Sequence, residues 1–191
     1  MLYQFHWGYR KRGRGLAEYM EWARNEVKPI MVDLMARCEA EDILRPQAVY
    51  GYFPAASKGD DLVLFSPNGS DEEIARFALP RQDRAGGLCI ADFFREIDSG
   101  ERDIIALQAV TVGQHASEVA RQWFDDDKYQ DYLYLHGLGV EMAEATAEYV
   151  HKRVRAELGF GDQDARDNGV LLNQGYRGSR YSFGYPACPT M

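Results

Sequence analysis

Three short runs of strand-forming residues follow one another without a helix between them, and this order constrains the fold most. They span residues 48–53, where Pro54 ends the first run, then 62–65 and 74–79. The segments between them are rich in Gly, Pro, Asn and Ser, which is typical of tight turns. The sequence therefore predicts an antiparallel meander and argues against a parallel βαβ array.

Two stretches of helical periodicity enclose these strands. In residues 15–42 apolar side chains recur every three or four positions, and Pro29 inside this pattern predicts a kink or a break near Lys28. Residues 129–158 predict a second long helix, or a helix pair that meets near residues 136–139. The predicted fold class is α+β, with a curved, mainly antiparallel sheet flanked by long helices.

Two further elements are predicted between the strands and the second long helix. Residues 104–112 are the most hydrophobic stretch of the chain and predict a central strand that is buried on both faces. Ser117 is predicted to cap a shorter helix that ends at Phe124. The polar, glycine-bearing residues 159–173 are predicted to form a loop.

Composition narrows the class of protein. A chain of 191 residues with 46% hydrophobic residues can form one domain with a substantial core, and we predict a single domain over residues 1–191. The net charge of -8 argues against a nucleic-acid partner. No apolar run reaches the length of a membrane span, so we expect no membrane partner. Three widely spaced cysteines, at positions 38, 89 and 188, suit the reducing cytoplasm.

The segment 177–189 combines arginines, aromatic residues, glycines and prolines in a way that excludes a regular helix. It predicts an irregular, extended ribbon that carries a planar cation, Arg180, and three rings, Tyr181, Phe183 and Tyr185. Such residues can hold a flat or carboxylated ligand. A terminal loop that only packs its rings onto a core is the alternative, and composition does not decide between the two.

The pattern Arg180-x-x-x-Gly184-Tyr185-Pro186-Ala187-Cys188-Pro189 resembles the signature of the activation domain of cobalamin (vitamin B12)-dependent methionine synthase. Further stretches resemble the same family in the same order, namely residues 4–10, 48–55, 77–82, 88–94 and 143–151. The resemblance therefore extends over essentially the whole chain.

This resemblance implies a module that binds S-adenosylmethionine (AdoMet) and positions its methyl group for reductive methylation of cob(II)alamin. The cobalamin would be bound by another domain or chain, because no Asp-x-His-x-x-Gly motif is present here. A flavodoxin-like or other reductase would donate the electron. The enzyme concerned is methionine synthase, a methyltransferase of methionine biosynthesis that transfers a methyl group from 5-methyltetrahydrofolate to homocysteine. The resemblance places its folate and homocysteine sites outside this chain as well.

The resemblance also implies the site residues. Arg180 would hold the AdoMet carboxylate, backbone groups near Ser182 and Gly184 would contact the ligand, and Tyr185 would face the cobalamin. Glu144 matches an acidic residue near the ligand cleft of the family and would face the sulfonium. We assign no catalytic residue. We also assign no metal ligand, because Glu148-x-x-His151 lacks the second pair that a di-iron site needs. A salt-bridged helix face over Glu144, Glu148, His151 and Arg155 is the alternative.

Relative to the family, the chain is expected to be incomplete at both ends, since the family domain begins earlier and continues beyond the Cys-Pro pair. Two alternatives follow. One is a truncated, non-enzymatic module that docks on a cobalamin domain without binding AdoMet tightly. The other is an unrelated α+β domain with a different ligand.

Overall fold

The computed structural model describes residues 2–189, apart from the side chain of Leu172. The helices are α1 (Leu16–Trp22), α2 (Lys28–Ala40), α3 (Gln114–Asp125), α4 (Tyr129–Glu157) and α5 (Asn168–Leu172). The strands are β1 (Gln47–Lys58), β2 (Asp61–Phe65), β3 (Glu73–Ala78) and β4 (Asp103–Thr111). None of the described helices combines the length and the apolar character that a membrane crossing requires.

The four strands form one sheet in the order β3-β2-β1-β4. β1 and β2 pair antiparallel from Ala55 opposite Leu64 to Lys58 opposite Asp61. β2 and β3 also pair antiparallel, with an irregularity between Leu64 and Phe65. The predicted meander and the α+β class are confirmed.

Two predictions about the strands are wrong. β1 continues through Pro54 to Lys58, and Pro54 precedes the first residue paired with β2, so its missing N–H removes no bond from that pairing. β4 lies at an edge of the described sheet instead of at its centre. Its hydrophobicity has another origin: Ile105 and Leu107 pack on a buried core, whereas Ile104 is 48% exposed.

The predicted break near Lys28 is confirmed. α1 passes into a π-helical turn, Ala23–Val27, and α2 begins with Pro29 in its first turn, where a missing N–H costs little. The predicted cap at Ser117 is wrong, because α3 begins at Gln114 after Gly113, whose φ of +92° lies in the left-handed region.

Residues 129–157 form one continuous helix, so the alternative of a helix pair is wrong. Residues 159–173 are more ordered than the predicted loop. They contain a 3-10 turn, Gly161–Gln163, and the short helix α5, whose N-cap Asp167 accepts a hydrogen bond from the N–H of Val170.

The chain divides into two compact units. The first consists of Met1–Val49 and Ala109–Val150. It holds two buried clusters: one around Cys38, Ile43, Trp123, Leu135 and Leu138, and one around Trp7, Tyr19, Ala23 and Val27. Helical residues supply most of both clusters, as the periodicity of 15–42 and 129–158 predicts.

The second unit consists of Tyr50–Gln108 and His151–Met191. Its main core combines strand residues with residues from irregular segments: Ala55, Leu62, Leu64, Leu79, Cys89, Ala91 and Cys188. The turn after β3 is fixed by Arg81, which donates hydrogen bonds to the carboxylates of Asp60 and Asp92 at 2.6 and 2.7 Å. Hydrogen bonds from Arg81 and from the N–H of Cys89 hold the pKa of Asp92 at about 2.

Candidate functional site

The C-terminal segment that contains the predicted ligand-binding residues lies in the second unit, and most of it is irregular, as predicted. Arg180 and Ser182 are both half-buried, and Nη1 of Arg180 donates a hydrogen bond to Oγ of Ser182 at 3.2 Å. The structure therefore brings two of the predicted site residues into one polar contact.

Gly184 and Tyr185 belong to a tight turn. Gly184 has a φ of +89°, a conformation that favours glycine. Its N–H donates to the carbonyl of Cys188 at 2.9 Å, and the N–H of Cys188 donates to the carbonyl of Tyr185 at 2.9 Å. These backbone groups are therefore paired within the turn. The Tyr185 ring is 63% exposed.

Two side chains fasten this segment to the rest of the unit. Cys188 is 8% exposed within the core, and the ring of Phe183 lies 5.5 Å from that of Phe77. Burial raises the pKa of the Cys188 thiol, which keeps it protonated. The packing expected of a terminal loop therefore occurs at Cys188 and in part at Phe183, which is 37% exposed, while Tyr181 and Tyr185 are 51% and 63% exposed.

A cavity of about 480 Å³ lies within the second unit, between the sheet, the end of α4 and the segment 177–183. This volume falls in the range of small-molecule sites. Its aliphatic wall is formed by Leu62, Leu79, Ile90, Ile104, Ile105 and Leu107, and its aromatic wall by Phe77, Phe93, Phe94, Phe160, Tyr181 and Phe183.

The polar groups of the cavity are few and are mostly basic. They comprise His151, Arg155, Arg177, Ser179 and the hydroxyl of Tyr181, and none of the described lining residues is an aspartate or a glutamate. The guanidinium of Arg177 lies over the ring of Phe160, 5.0 Å from its centroid. The cavity therefore combines an apolar interior with a positively charged side.

Arg155, which lines this cavity, forms a buried ion pair with Asp164. Nε of Arg155 donates to Oδ1 of Asp164 at 2.8 Å and Nη2 donates to Oδ2 at 2.6 Å, with side chains 4% and 9% exposed. These hydrogen bonds hold the pKa of Asp164 below its usual value. Within the described part of the chain, the third nitrogen, Nη1, is buried and has no hydrogen-bond partner.

Tyr176 holds the two basic residues of α4 that reach the cavity. The Arg155 guanidinium lies 4.2 Å from the centre of its ring, and the His151 ring meets it edge-on at 5.3 Å. Both contacts orient the side chains at the end of α4. His151 and Arg155 are both buried, and the ion-pair partner of Arg155 is Asp164, which lies outside the helix, so the alternative of a salt-bridged helix face does not describe Arg155.

A second polar cluster joins β1 to the end of α4. Glu157 accepts hydrogen bonds from the hydroxyls of Tyr50 and Tyr52, at 2.8 and 2.5 Å, and from Nε of Arg153 at 2.7 Å. These bonds, with that from Tyr52 the strongest, lower the pKa of Glu157 to about 2. Desolvation, followed by the hydrogen bond to Glu157, raises the pKa of Tyr52 to about 12.

The Glu157 cluster predicts a pH dependence of stability. Because its pKa is depressed from 4.5 to about 2, the stabilisation is complete above pH 4.5 and is lost as the pH falls towards 2. We expect the Glu157→Gln variant to show a flatter decline in urea stability between these values, and the Glu157 carboxyl ¹³C resonance to titrate near pH 2. Glu72→Gln, at an exposed glutamate, is the matched control. A carboxyl resonance that titrates near 4.5 would contradict the cluster.

Glu144 lies on α4 in the part that belongs to the first unit, and its side chain is exposed rather than buried. The predicted contact with the ligand sulfonium stays a prediction. Among residues 2–189 no three His, Cys, Asp or Glu side chains are grouped closely enough to hold a metal ion.

The residues that sequence reasoning missed are those around the cavity, above all Asp164, Tyr176 and Arg177. One signal in the sequence was available for Arg155, which follows the apolar Val154 on a helix that is mostly polar at this end. Asp164, the ion-pair partner of Arg155, lies nine positions further on in a segment with no periodicity. Nothing in the sequence therefore pairs Arg155 with Asp164.

The comparisons with known proteins bear on the whole chain. The family model of the vitamin B12 dependent methionine synthase activation domain matches residues 24–191. The chain belongs to this family. It is 40% identical to the methionine synthase of Mycobacterium tuberculosis and 38% identical to that of Mycobacterium leprae, over its full length in both cases. It spans 17% of the length of each of these relatives.

The fold agrees with the family assignment. A crystal structure of the MetH reactivation domain bound to AdoHcy superposes with a TM-score of 0.79 at 31% sequence identity. The similarity covers 87% of this chain and 53% of the other. The activation-domain family that the Arg180–Pro189 pattern indicates is therefore confirmed by both sequence and fold.

Proposed function

We propose that this chain binds AdoMet and serves as the reactivation module of a cobalamin-dependent methionine synthase. The similarity to a reactivation domain whose structure contains AdoHcy carries the proposal, at 31% identity over 87% of the chain. AdoMet differs from AdoHcy by one methyl group and one positive charge on sulfur. A site for the product of methyl transfer is expected to admit the donor as well.

Arg180 is the residue we propose for the carboxylate of AdoMet. A guanidinium presents two parallel N–H groups to a carboxylate, an arrangement that lysine cannot reproduce. The bond from Nη1 to Ser182 supports this role, since it restrains the Arg180 side chain before the ligand arrives. Tyr185, exposed at the tight turn, would face the cobalamin.

The task of the chain in this function is to position the ligand, so that the methyl carbon is presented in line with its acceptor. Cobalamin, bound by another domain or chain, would supply the cobalt that accepts the methyl group, and a reductase would supply one electron. We propose that the two compact units act together as one activation-type domain, within the cytoplasm. Free, buried cysteines at positions 38, 89 and 188 fit that reducing compartment.

Calorimetric titration with AdoMet tests the proposal. We expect saturable binding by the chain and a loss of about 1.5–3 kcal/mol of binding free energy in Arg180→Ala, as for a hydrogen bond to a charged group. Arg180→Lys should recover only part of the loss. Arg166→Ala, at an exposed arginine of the same unit, is the matched control and should bind like the parent chain.

Two outcomes would count against parts of the proposal. Binding that survives Arg180→Ala unchanged would remove Arg180 from the site while leaving the function intact. A folded chain that binds no AdoMet, yet associates with a cobalamin-loaded domain, would favour the docking module. The exposed rings of Tyr181 and Tyr185 are the observation that favours this second function, because exposed aromatic residues are enriched at protein interfaces.

A further inference from the structure

We infer that the cavity of the second unit is a separate binding site for a small aromatic carboxylate. The inference goes beyond AdoMet binding and does not depend on it. Arg180, Ser182, Gly184 and Tyr185 are absent from its lining, although they alternate along the chain with Tyr181 and Phe183, which do line it. The cavity therefore has its own chemistry.

The apolar lining of the cavity determines the size and shape of the uncharged part of the ligand. Its volume of about 480 Å³ suits a molecule of one or two fused rings. Phe77, Phe93, Phe160 and Phe183 supply ring surfaces, and Ile104 and Leu107 supply aliphatic ones. Aromatic side chains favour planar ligands, which they contact by stacking or edge-to-face packing.

The basic side of the cavity determines the charge of the ligand that can bind there. Arg177 is exposed and lines the cavity, and among residues 2–189 it has no acidic partner. Ser179, two residues along, adds a hydroxyl group. A carboxylate bound here would meet a guanidinium and a hydroxyl without repulsion, since no described lining residue is acidic.

Arg155, which also lines the cavity, reinforces this preference. Asp164 fixes its guanidinium through Nε and Nη2, and the buried Nη1 has no acceptor in the described structure. An N–H group that is desolvated and unpaired favours electron-rich groups nearby. For the same reasons, a cationic or sulfonium-bearing group is disfavoured in this cavity.

The test uses 2-naphthoate as the probe and 2-naphthylmethanol as its neutral counterpart, both titrated into the full chain. We expect 2-naphthoate to bind at least about tenfold more tightly, as one charge-assisted hydrogen bond implies. Methyl resonances of Ile104 and Leu107 should shift on binding, and those of Leu135, in the core of the first unit, should not.

Variants locate the carboxylate. Arg177→Gln should reduce 2-naphthoate affinity about tenfold and leave 2-naphthylmethanol unaffected, and Arg166→Gln should change neither. Because Arg177 is exposed, its variant is expected to fold. Arg155→Lys, which keeps a cation beside Asp164, should weaken 2-naphthoate binding less than Arg177→Gln does.

Three results would overturn the inference: no binding by the folded chain, equal affinity for the acid and the alcohol, or shifts outside the cavity. Competition separates this site from the one proposed for AdoMet. Saturating AdoMet should leave 2-naphthoate bound, and Arg180→Ala should leave its affinity unchanged. Displacement of 2-naphthoate by AdoMet would show that the cavity is part of the AdoMet site and would overturn the inference. If the chain binds 2-naphthoate but does not bind AdoMet, the proposed function fails and the inference stands.

Discussion

Replacing Asp164 with alanine is expected to lower the free energy of unfolding by about 3–5 kcal/mol, as for other buried ion pairs that lose one partner. The reason is the desolvation of Arg155, whose side chain is only 4% exposed. With Asp164 present, two hydrogen bonds of 2.8 and 2.6 Å compensate for that burial. Without it, the guanidinium stays buried beside the face of Tyr176 and has lost its anionic partner.

Urea unfolding followed by circular dichroism measures this loss. Asp162→Ala is the matched control, because Asp162 is exposed two positions earlier, and it should change stability by no more than about 0.5 kcal/mol. A double variant, Arg155→Met with Asp164→Leu, removes both charges and should be much more stable than Asp164→Ala. If the double variant and Asp164→Ala lose the same free energy of unfolding, lost packing rather than the unpaired charge of Arg155 causes the destabilisation.

The Arg155–Asp164 ion pair also predicts how the stability of the chain changes with pH. Arg155 depresses the pKa of Asp164 below its usual 3.8, so its contribution is complete above that pH and is lost as the pH falls further. The Asp164→Ala variant should therefore approach the parent chain in stability under strongly acidic conditions.

Much of the fold is predictable from sequence because local rules decide it. The meander follows from turn residues between short apolar runs, and the break at Lys28 follows from Pro29. The edge position of β4 does not, since residues 104–112 are apolar for two different reasons. Ile105 and Leu107 pack on a buried core, whereas Ile104 is 48% exposed, and a hydrophobic run in the sequence does not distinguish these two environments.

The candidate site is predictable where a contiguous motif defines it and obscure where the fold assembles it. Arg180 and Ser182 stand two positions apart, so their contact is local. Arg155 and Asp164 come from α4 and the segment after it, and Glu157 meets Tyr50 and Tyr52 across more than one hundred positions. Periodicity marks Arg155 only as a side chain on a helix face, and it gives no information on which distant group neutralises it.

Trp7→Ala is expected to destabilise the first unit by about 3–5 kcal/mol, the usual cost of removing a large buried aromatic side chain. Trp7 is 4% exposed, and its ring lies 4.7 Å from that of Tyr134 and 5.7 Å from that of Tyr3. Its Nε1 donates to the carbonyl of Tyr134 at 3.1 Å. Gly137 makes this approach possible, because a Cβ there would lie 2.9 Å from Nε1.

Phe5→Ala is the matched control for this loss, since the Phe5 ring is 74% exposed two positions earlier and its removal opens no cavity. Trp7→Phe should fall between the two, because it keeps most of the ring packing and gives up the hydrogen bond to Tyr134. Urea unfolding by circular dichroism gives all three values. If Trp7→Ala costs no more than Phe5→Ala, the segment 2–9 does not contribute to the core of this unit, and Gly137 should then accept alanine without loss. If Trp7→Ala is costly, Gly137→Ala should be destabilising too, since the added methyl group and the indole would compete for the same space.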